Sequence, residues 1–204
     1  MRYLPGVLAM AIIVVASNIL VQFRFGDWLT WGAFTYPFAF LATDVMNRVH
    51  GPAAARRVVF AGFVTGVAWS LIAFGFGATT LRIALASGTA FLTAQMLDVA
   101  VFDRLRHREW WQAPLASTLI GSAVDTALFF CIAFGAFLPA DANTGWANEA
   151  APLLGSGPAL PLWQSLALAD WLVKLGLALL ALVPFRIIVR KLLRRLEDRR
   201  LTDS

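Results

Sequence analysis

Residues 162–185 read LWQSLALADWLVKLGLALLALVPF. A run of roughly 20 mainly apolar residues is the length a helix needs to cross the hydrocarbon of a bilayer, and this one supplies it. Inside it stand Asp170 and Lys174, four residues apart and so on one helix face. A charged group near the centre of a spanning helix costs about 2.5–3.5 kcal/mol on insertion scales. The run is therefore a membrane span whose charged face must meet something other than lipid.

The rest of the chain agrees. Of 204 residues 59% are hydrophobic and 14% charged, against about 25% charged in an ordinary soluble domain, and the mean hydropathy is +0.71. Apolar runs predict six helical spans near 4–23, 29–47, 58–79, 82–102, 113–138 and 162–188, followed by a basic tail 189–204. The expected fold class is all-α integral membrane, one transmembrane domain over 1–204, because the runs lack the alternation of barrel strands. The first run follows Arg2 as a signal peptide would, but it carries Asn18 and Gln22 and no clear small-x-small site follows, so it is read as a span.

Charge sets the orientation. Fourteen of the 17 basic residues, among them Arg48, Arg56, Arg57, Arg104, Arg106, Arg108 and the tail, fall on one side; Arg24 and Arg82 lie near the other and Lys174 within a span. The positive-inside rule places both termini in the cytoplasm. The net charge of +5 is thus spent on topology and on anionic lipid rather than on nucleic acid. The loop 139–161 holds Asp141 and Glu149 and no Lys or Arg, as an external segment should. Cys131 is the single cysteine, which excludes a disulfide within the chain and leaves a small core residue.

Four carboxylates fall inside the spans: Asp44, Asp98, Asp125 and Asp170. Spacing gathers them with other polar groups. Ser87, Phe91, Gln95 and Asp98 follow one another at 4, 4 and 3; Thr118, Gly121, Ser122 and Asp125 form a second stripe; Trp163, Ala167, Asp170 and Lys174 a third; Asn18 and Gln22 a fourth. Such stripes can be glue between helices, but four carboxylates favour a hydrated, polar cavity. Asp44 has a second reading as the partner of Arg48, one turn on. In the second span Gly32 and Pro37 stand among Trp31, Phe34 and Tyr36; proline frees a helix carbonyl, so the break either lines a cavity or is a packing kink.

The segments ASNILVQ, TWGAFTYPFAFLATDVMNRVHGPAAARRVVF, RIALASGTAFLTAQMLDVAVFDRLR, WWQAPLASTLIGSAVDTALFFCIAF and ADWLVK, in that order, together resemble the queuosine-precursor transporters of the vitamin-uptake-transporter family. The resemblance covers about four-fifths of the chain. It implies a multi-pass protein of the bacterial inner membrane, on a six-helix plan like that of the substrate-binding component of energy-coupling-factor transporters. The cargo implied is 7-cyano-7-deazaguanine or 7-aminomethyl-7-deazaguanine, salvaged for the queuosine of tRNA. Asn18, Gln22, Trp31, Asp44, Arg82, Gln95, Asp98, Asp125, Asp170 and Lys174 stand at motif positions. Ser122 stands where the pattern has Asn, and the loop 139–161 is longer than the pattern.

The chemistry of such a base fits these residues. Its ring N–H and exocyclic amine form a donor edge that a carboxylate accepts, its carbonyl takes a donor, and its faces stack on aromatics at about 1–3 kcal/mol each. The substrate-binding set expected is Asn18, Gln22, Trp31, Tyr36, Arg82, Gln95, Asp98 and Asp125, with Asp98 or Asp125 reading the donor edge. Asp170, Lys174 and Asp44 are expected to gate the site or to hold it as ion pairs. No metal, cofactor or catalytic group is called for, and a homodimer is allowed. The chain has no phosphate-binding G-x-x-x-x-G-K-[ST] loop, so it hydrolyses no ATP itself. An energy-coupling-factor capture subunit is the main alternative. An intramembrane aspartyl hydrolase is disfavoured, since no G-x-G-D occurs and His50 and His107 lie in predicted loops.

Overall fold

The computed structural model describes residues 3–21, 23–35, 37–139 and 144–202. The chain is a helical bundle. Helix α1 (Leu4–Leu20) leads into a two-residue hairpin, β1 (Arg24–Phe25) with β2 (Leu29–Thr30), then a single turn α2 (Gly32–Thr35) and helix α3 (Pro37–His50). Helices α4 (Pro52–Gly75), α5 (Leu81–Leu105), α6 (Gln112–Phe134) and α7 (Leu162–Thr202) complete it. Between α6 and α7 the chain makes two 3-10 turns and a second hairpin, β3 (Ala150–Pro152) with β4 (Ala159–Pro161).

Four of these helices, α4 to α7, are long and apolar enough to cross a membrane among the described residues. Helix α1 has 17 residues and α3 has 14, lengths of about 25 Å and 21 Å. The second expected span is therefore not one helix: 29–47 divides into a strand, a short turn and α3, which begins at Pro37, where the ring tolerates a first helical turn but not an interior one. Other expected boundaries shift for equally local reasons. The fifth span ends at Phe134 rather than 138 because Gly135 leaves the helix with φ −59 and ψ 134. The fourth opens where Thr80 caps it, its hydroxyl accepting from the Ile83 amide at 3.2 Å. Arg56 and Arg57 lie on the first turns of α4, not in a loop. The basic tail is no separate element, since α7 runs unbroken through it to Thr202.

Helices α1, α4, α5, α6 and α7 stand side by side in chain order, with α2 and α3 between α7 and α1; α3 also touches α4, α5 and α6, which makes it the hub. Small residues permit the close approaches. A Cβ on Gly62 would meet Met10 Cγ at 2.6 Å, and one on Gly121 would meet Phe40 Cε1 at 2.8 Å. Apolar clusters close both ends. At the end bearing the short chain reversals, here the loop end, Ala86, Phe130, Ala133, Phe134 and Ala147 are buried together. At the basic end, Val45, Phe102, Ala113, Phe185 and Val189 are. The two hairpins meet over the loop end, where Trp28 lies 3.2 Å from the position of a Gly155 Cβ. Gly155 has φ +86, so a side chain there would be strained as well as crowded.

Candidate functional site

Between the two apolar plugs the buried face of α6 is polar for its whole middle: Ser117, Thr118, Gly121, Ser122, Asp125 and Thr126 are all buried. These positions repeat at three and four residues and so form one stripe. Facing them are Phe40, Thr43, Asp44 and Asn47 of α3, Gln95 and Asp98 of α5, and Lys174 of α7, all buried too. The bundle thus carries a polar seam where α3, α5, α6 and α7 converge, arranged in layers along α6.

The layer nearer the loop end is ionic. Lys174 Nζ lies 2.8 Å from Asp125 Oδ2 and 2.6 Å from Asp170 Oδ2. Thr126 closes the group: its hydroxyl donates to Asp170 Oδ2 at 2.8 Å and accepts from Lys174 Nζ at 3.1 Å. One ammonium is shared by carboxylates from two helices, which ties α6 to α7.

One turn toward the basic end, Thr43 donates to Gln95 Oε1 at 2.6 Å, while Gln95 Nε2, buried, has no acceptor among the described residues. Below it Asp44 accepts hydrogen bonds from Ser117 Oγ at 3.1 Å and Thr118 Oγ1 at 3.3 Å. Asp98 adjoins Asp44 and Ser117, and no N–H of a described residue donates to either of its buried oxygens. Asn47 donates to the Val99 carbonyl at 3.0 Å and keeps its Oδ1 unmatched. Unmatched buried groups are rare because each costs about 1–3 kcal/mol. Here three of them, two acceptors and a donor, share the α3–α5 contact.

The expected site residues therefore divide. Gln95, Asp98 and Asp44 come together, and Asp125 joins Asp170 and Lys174 rather than Asp98. Asp44 does not bond Arg48, whose guanidinium donates to the Arg106 carbonyl and lies over the Phe102 ring. Arg82 stands apart from both layers: it donates to the carbonyls of Ile132 at 2.7 Å, Gly135 at 2.6 Å and Pro139 at 3.0 Å, completing the open end of α6 as a cation should. Trp31 is half exposed and packs edge-on against Phe25, with Phe34 beside it. Asn18 donates to the Val14 carbonyl of its own helix at 2.9 Å. Ser122 likewise turns to the Leu119 carbonyl at 3.2 Å. Gln22 and Tyr36 lie outside the described residues.

The seam is closed to solvent, with Gln95 and Asp98 fully buried, so a ligand reaches it only when α3, α5 and α6 part. An open cleft of about 670 Å³ lies elsewhere, at the loop end between Phe74, Thr80, Arg82, Leu85, Ile132 and Pro139. Thr43, Asn47, Ser117 and Thr126 were not among the expected residues. Their signal was spacing: Thr43 and Asn47 flank Asp44 on one face, and Thr126 follows Asp125.

A family model described as "Putative vitamin uptake transporter" matches residues 30–189. The chain belongs to that family. The match takes in the whole polar seam and makes this a multi-pass membrane protein of a transporter family. Among curated relatives, the queuosine precursor transporter of Escherichia coli (strain K12) is 36% identical, over 92% of this chain and 86% of its own length. The "Probable queuosine precursor transporter" of Haemophilus influenzae is 34% identical over 91% and 85%, and that of Bacillus subtilis 28% over 83% and 75%. No solved structure matches the chain significantly.

Proposed function

We propose that this chain imports queuosine precursors, 7-cyano-7-deazaguanine or 7-aminomethyl-7-deazaguanine, across a bacterial inner membrane for salvage into the queuosine of tRNA. The observation that carries this is the 36% identity to the queuosine precursor transporter of Escherichia coli, sustained over nearly the whole of both chains. Chemistry within the seam supports it. Asp98 offers an unmatched acceptor pair for the ring N–H and exocyclic amine, and Gln95 Nε2, one turn away on α5, offers an unmatched donor for the ring carbonyl. Both are bonds that a guanine-like base supplies and a purely apolar cargo does not.

In this reading Trp31, with Asn18, lines the way in from the loop end, Asp125 acts through Lys174, and Arg82 serves the loop end by holding α6; Gln22 and Tyr36 keep their expected part in binding the base. The layer of Asp125, Asp170 and Lys174 holds or gates the seam. Helix α1 and the broken α2–α3 complete six crossings in a single domain, both termini are cytoplasmic, and the plan is similar to the substrate-binding component of energy-coupling-factor transporters. A homodimer is compatible with this arrangement. The test is uptake of labelled 7-cyano-7-deazaguanine by cells that neither make nor import it, read as queuosine in tRNA. Uptake that requires the chain is expected. Cells that acquire no queuosine despite membrane-inserted protein would overturn the reading, and co-purification with an ATPase module would recast the chain as a capture subunit.

A further inference from the structure

The seam holds oxygen atoms that the base-reading pair does not use. Asp44 and Asp98 face the same stretch of α6, Asp44 bonded to Ser117 and Thr118 and Asp98 Cβ 3.4 Å from the position of a Gly121 Cβ, and no ammonium or guanidinium is bonded to either among the described residues. Asp44 accepts from the hydroxyls of Ser117 and Thr118. Asn47, one turn along α3 and fully buried, is fixed through its amide N–H to the Val99 carbonyl, which leaves its Oδ1 with no donor. Two carboxylates, two hydroxyls and an amide oxygen are thus gathered with no cation bonded to them among the described residues.

Arg48 lies within coulombic reach of Asp44, but no cationic side chain is bonded to the group among the described residues. From α6 come only hydroxyls. From α5 comes Asp98, and Arg106 farther on is engaged with Asp103 and the Asn47 carbonyl. On α3 itself Arg48 donates to the Arg106 carbonyl and His50 stacks on Tyr3. Helix α4 brings Arg57 over the Tyr3 ring, and α1 has no charged residue. On α7, Lys174 is held by Asp125 and Asp170, and Arg186 lies over Trp110.

Adjacent carboxylates withdrawn from water cannot both stay ionised without a positive charge between them. The available ligands are hard oxygens, which suit a proton or a small alkali cation and not a soft metal. We propose that Asp44, with Asp98, Asn47, Ser117 and Thr118, forms a monovalent-cation site, for H⁺ or Na⁺, whose occupancy is linked to base binding at Asp98. The linkage rests on the base-importer reading above. A base that presents two N–H groups to Asp98 requires that carboxylate ionised, and the charge of the neighbouring Asp44 must then be neutralised by a proton or offset by Na⁺. Each ligand raises the affinity for the other by the same factor. An inward gradient of the cation would therefore draw the base in.

The purified protein tests this in three steps. Without base, its unfolding temperature is followed against pH and, separately, against Na⁺; one of the two should stabilise the wild type and leave Asp44→Asn unmoved. With labelled 7-cyano-7-deazaguanine, the same cation should raise wild-type affinity at least tenfold, as pH falls for H⁺ or as Na⁺ rises for Na⁺. Asp44→Asn should bind the base with no such dependence. In liposomes, a gradient of that cation should make the wild type accumulate the base, whereas Asp44→Asn should only equilibrate it. Should Asp44→Asn fail to fold, Ser117→Ala should shift the cation dependence several-fold. A wild type indifferent to both cations, or an Asp44→Asn protein as responsive as wild type, overturns the site. Absent base binding with an intact cation response would instead overturn the importer reading.

Discussion

The two layers of the seam solve the same problem in opposite ways. Toward the loop end, Asp125 and Asp170 share Lys174, and Thr126 bridges the remaining gap, so the layer is complete in itself. Toward the basic end, Asp44 and Asp98 have hydroxyls and each other, and no N–H of a described residue donates to Asp98. Desolvating charge is expensive in both places, but only the first layer offsets it internally. A layer satisfied by its own side chains is suited to joining helices. One left unsatisfied has capacity for a solute.

Breaking the first layer should have the largest effect. Lys174→Met leaves the buried Asp125 and the half-buried Asp170 without a cation, and loss of one partner of a buried pair costs about 3–5 kcal/mol; a large fall in unfolding temperature in detergent is expected, and an unchanged one would deny that the layer is structural. In the second layer Asp98→Asn should behave otherwise. It keeps volume and removes a charge, so stability should hold, while base affinity drops about a hundredfold, or ~2.7 kcal/mol. Retained affinity in a binding assay would mean that the base is read elsewhere. Gly121 separates the layers, and a Cβ there would stand 2.8 Å from Phe40 Cε1 and 3.3 Å from the Ala94 carbonyl. Gly121→Ala should therefore cost about 2 kcal/mol by overpacking, seen as a lower melting temperature with the cation dependence preserved. Smallest is Arg82→Met, which lies outside both layers: loss of its three bonds to the end of α6 should cost about 1 kcal/mol and leave the KM for uptake unchanged. A raised KM would bring Arg82 back among the residues that touch the base.

Much of this contrast could be read from one dimension. Apolar runs located α4 to α7, and the three- and four-residue spacing of Thr118, Gly121, Ser122 and Asp125 marked the buried face of α6. Spacing within a helix also paired Asp170 with Lys174. It could not reveal that Lys174 equally serves Asp125, 49 positions earlier, because that contact depends on how α6 lies against α7. For the same reason spacing offers Arg48 as a second reading for Asp44 on its own helix, whereas its hydroxyl partners come from α6. Arg82 stands at a motif position of the family resemblance, and spacing gives no sign of the carbonyls at the end of α6 that it holds. The break before α3 was visible in Pro37, but its exact form depended on the preceding hairpin, whose two-residue strands are too short to announce themselves.

Helix α7 carries one more implication. Its 41 residues make a rod of about 60 Å, roughly twice the thickness of the hydrocarbon. It is gripped near one end by the Asp125–Lys174 pair and studded with arginine at the other. Pro184 interrupts its hydrogen-bond ladder between these regions, beside the Phe185 ring that rests on Phe102. Such a rod is a lever with a soft joint. The joint lets the cationic end follow the headgroup surface while the gripped segment keeps its place against α6, so anchoring to the membrane and holding the seam are separate tasks of one helix.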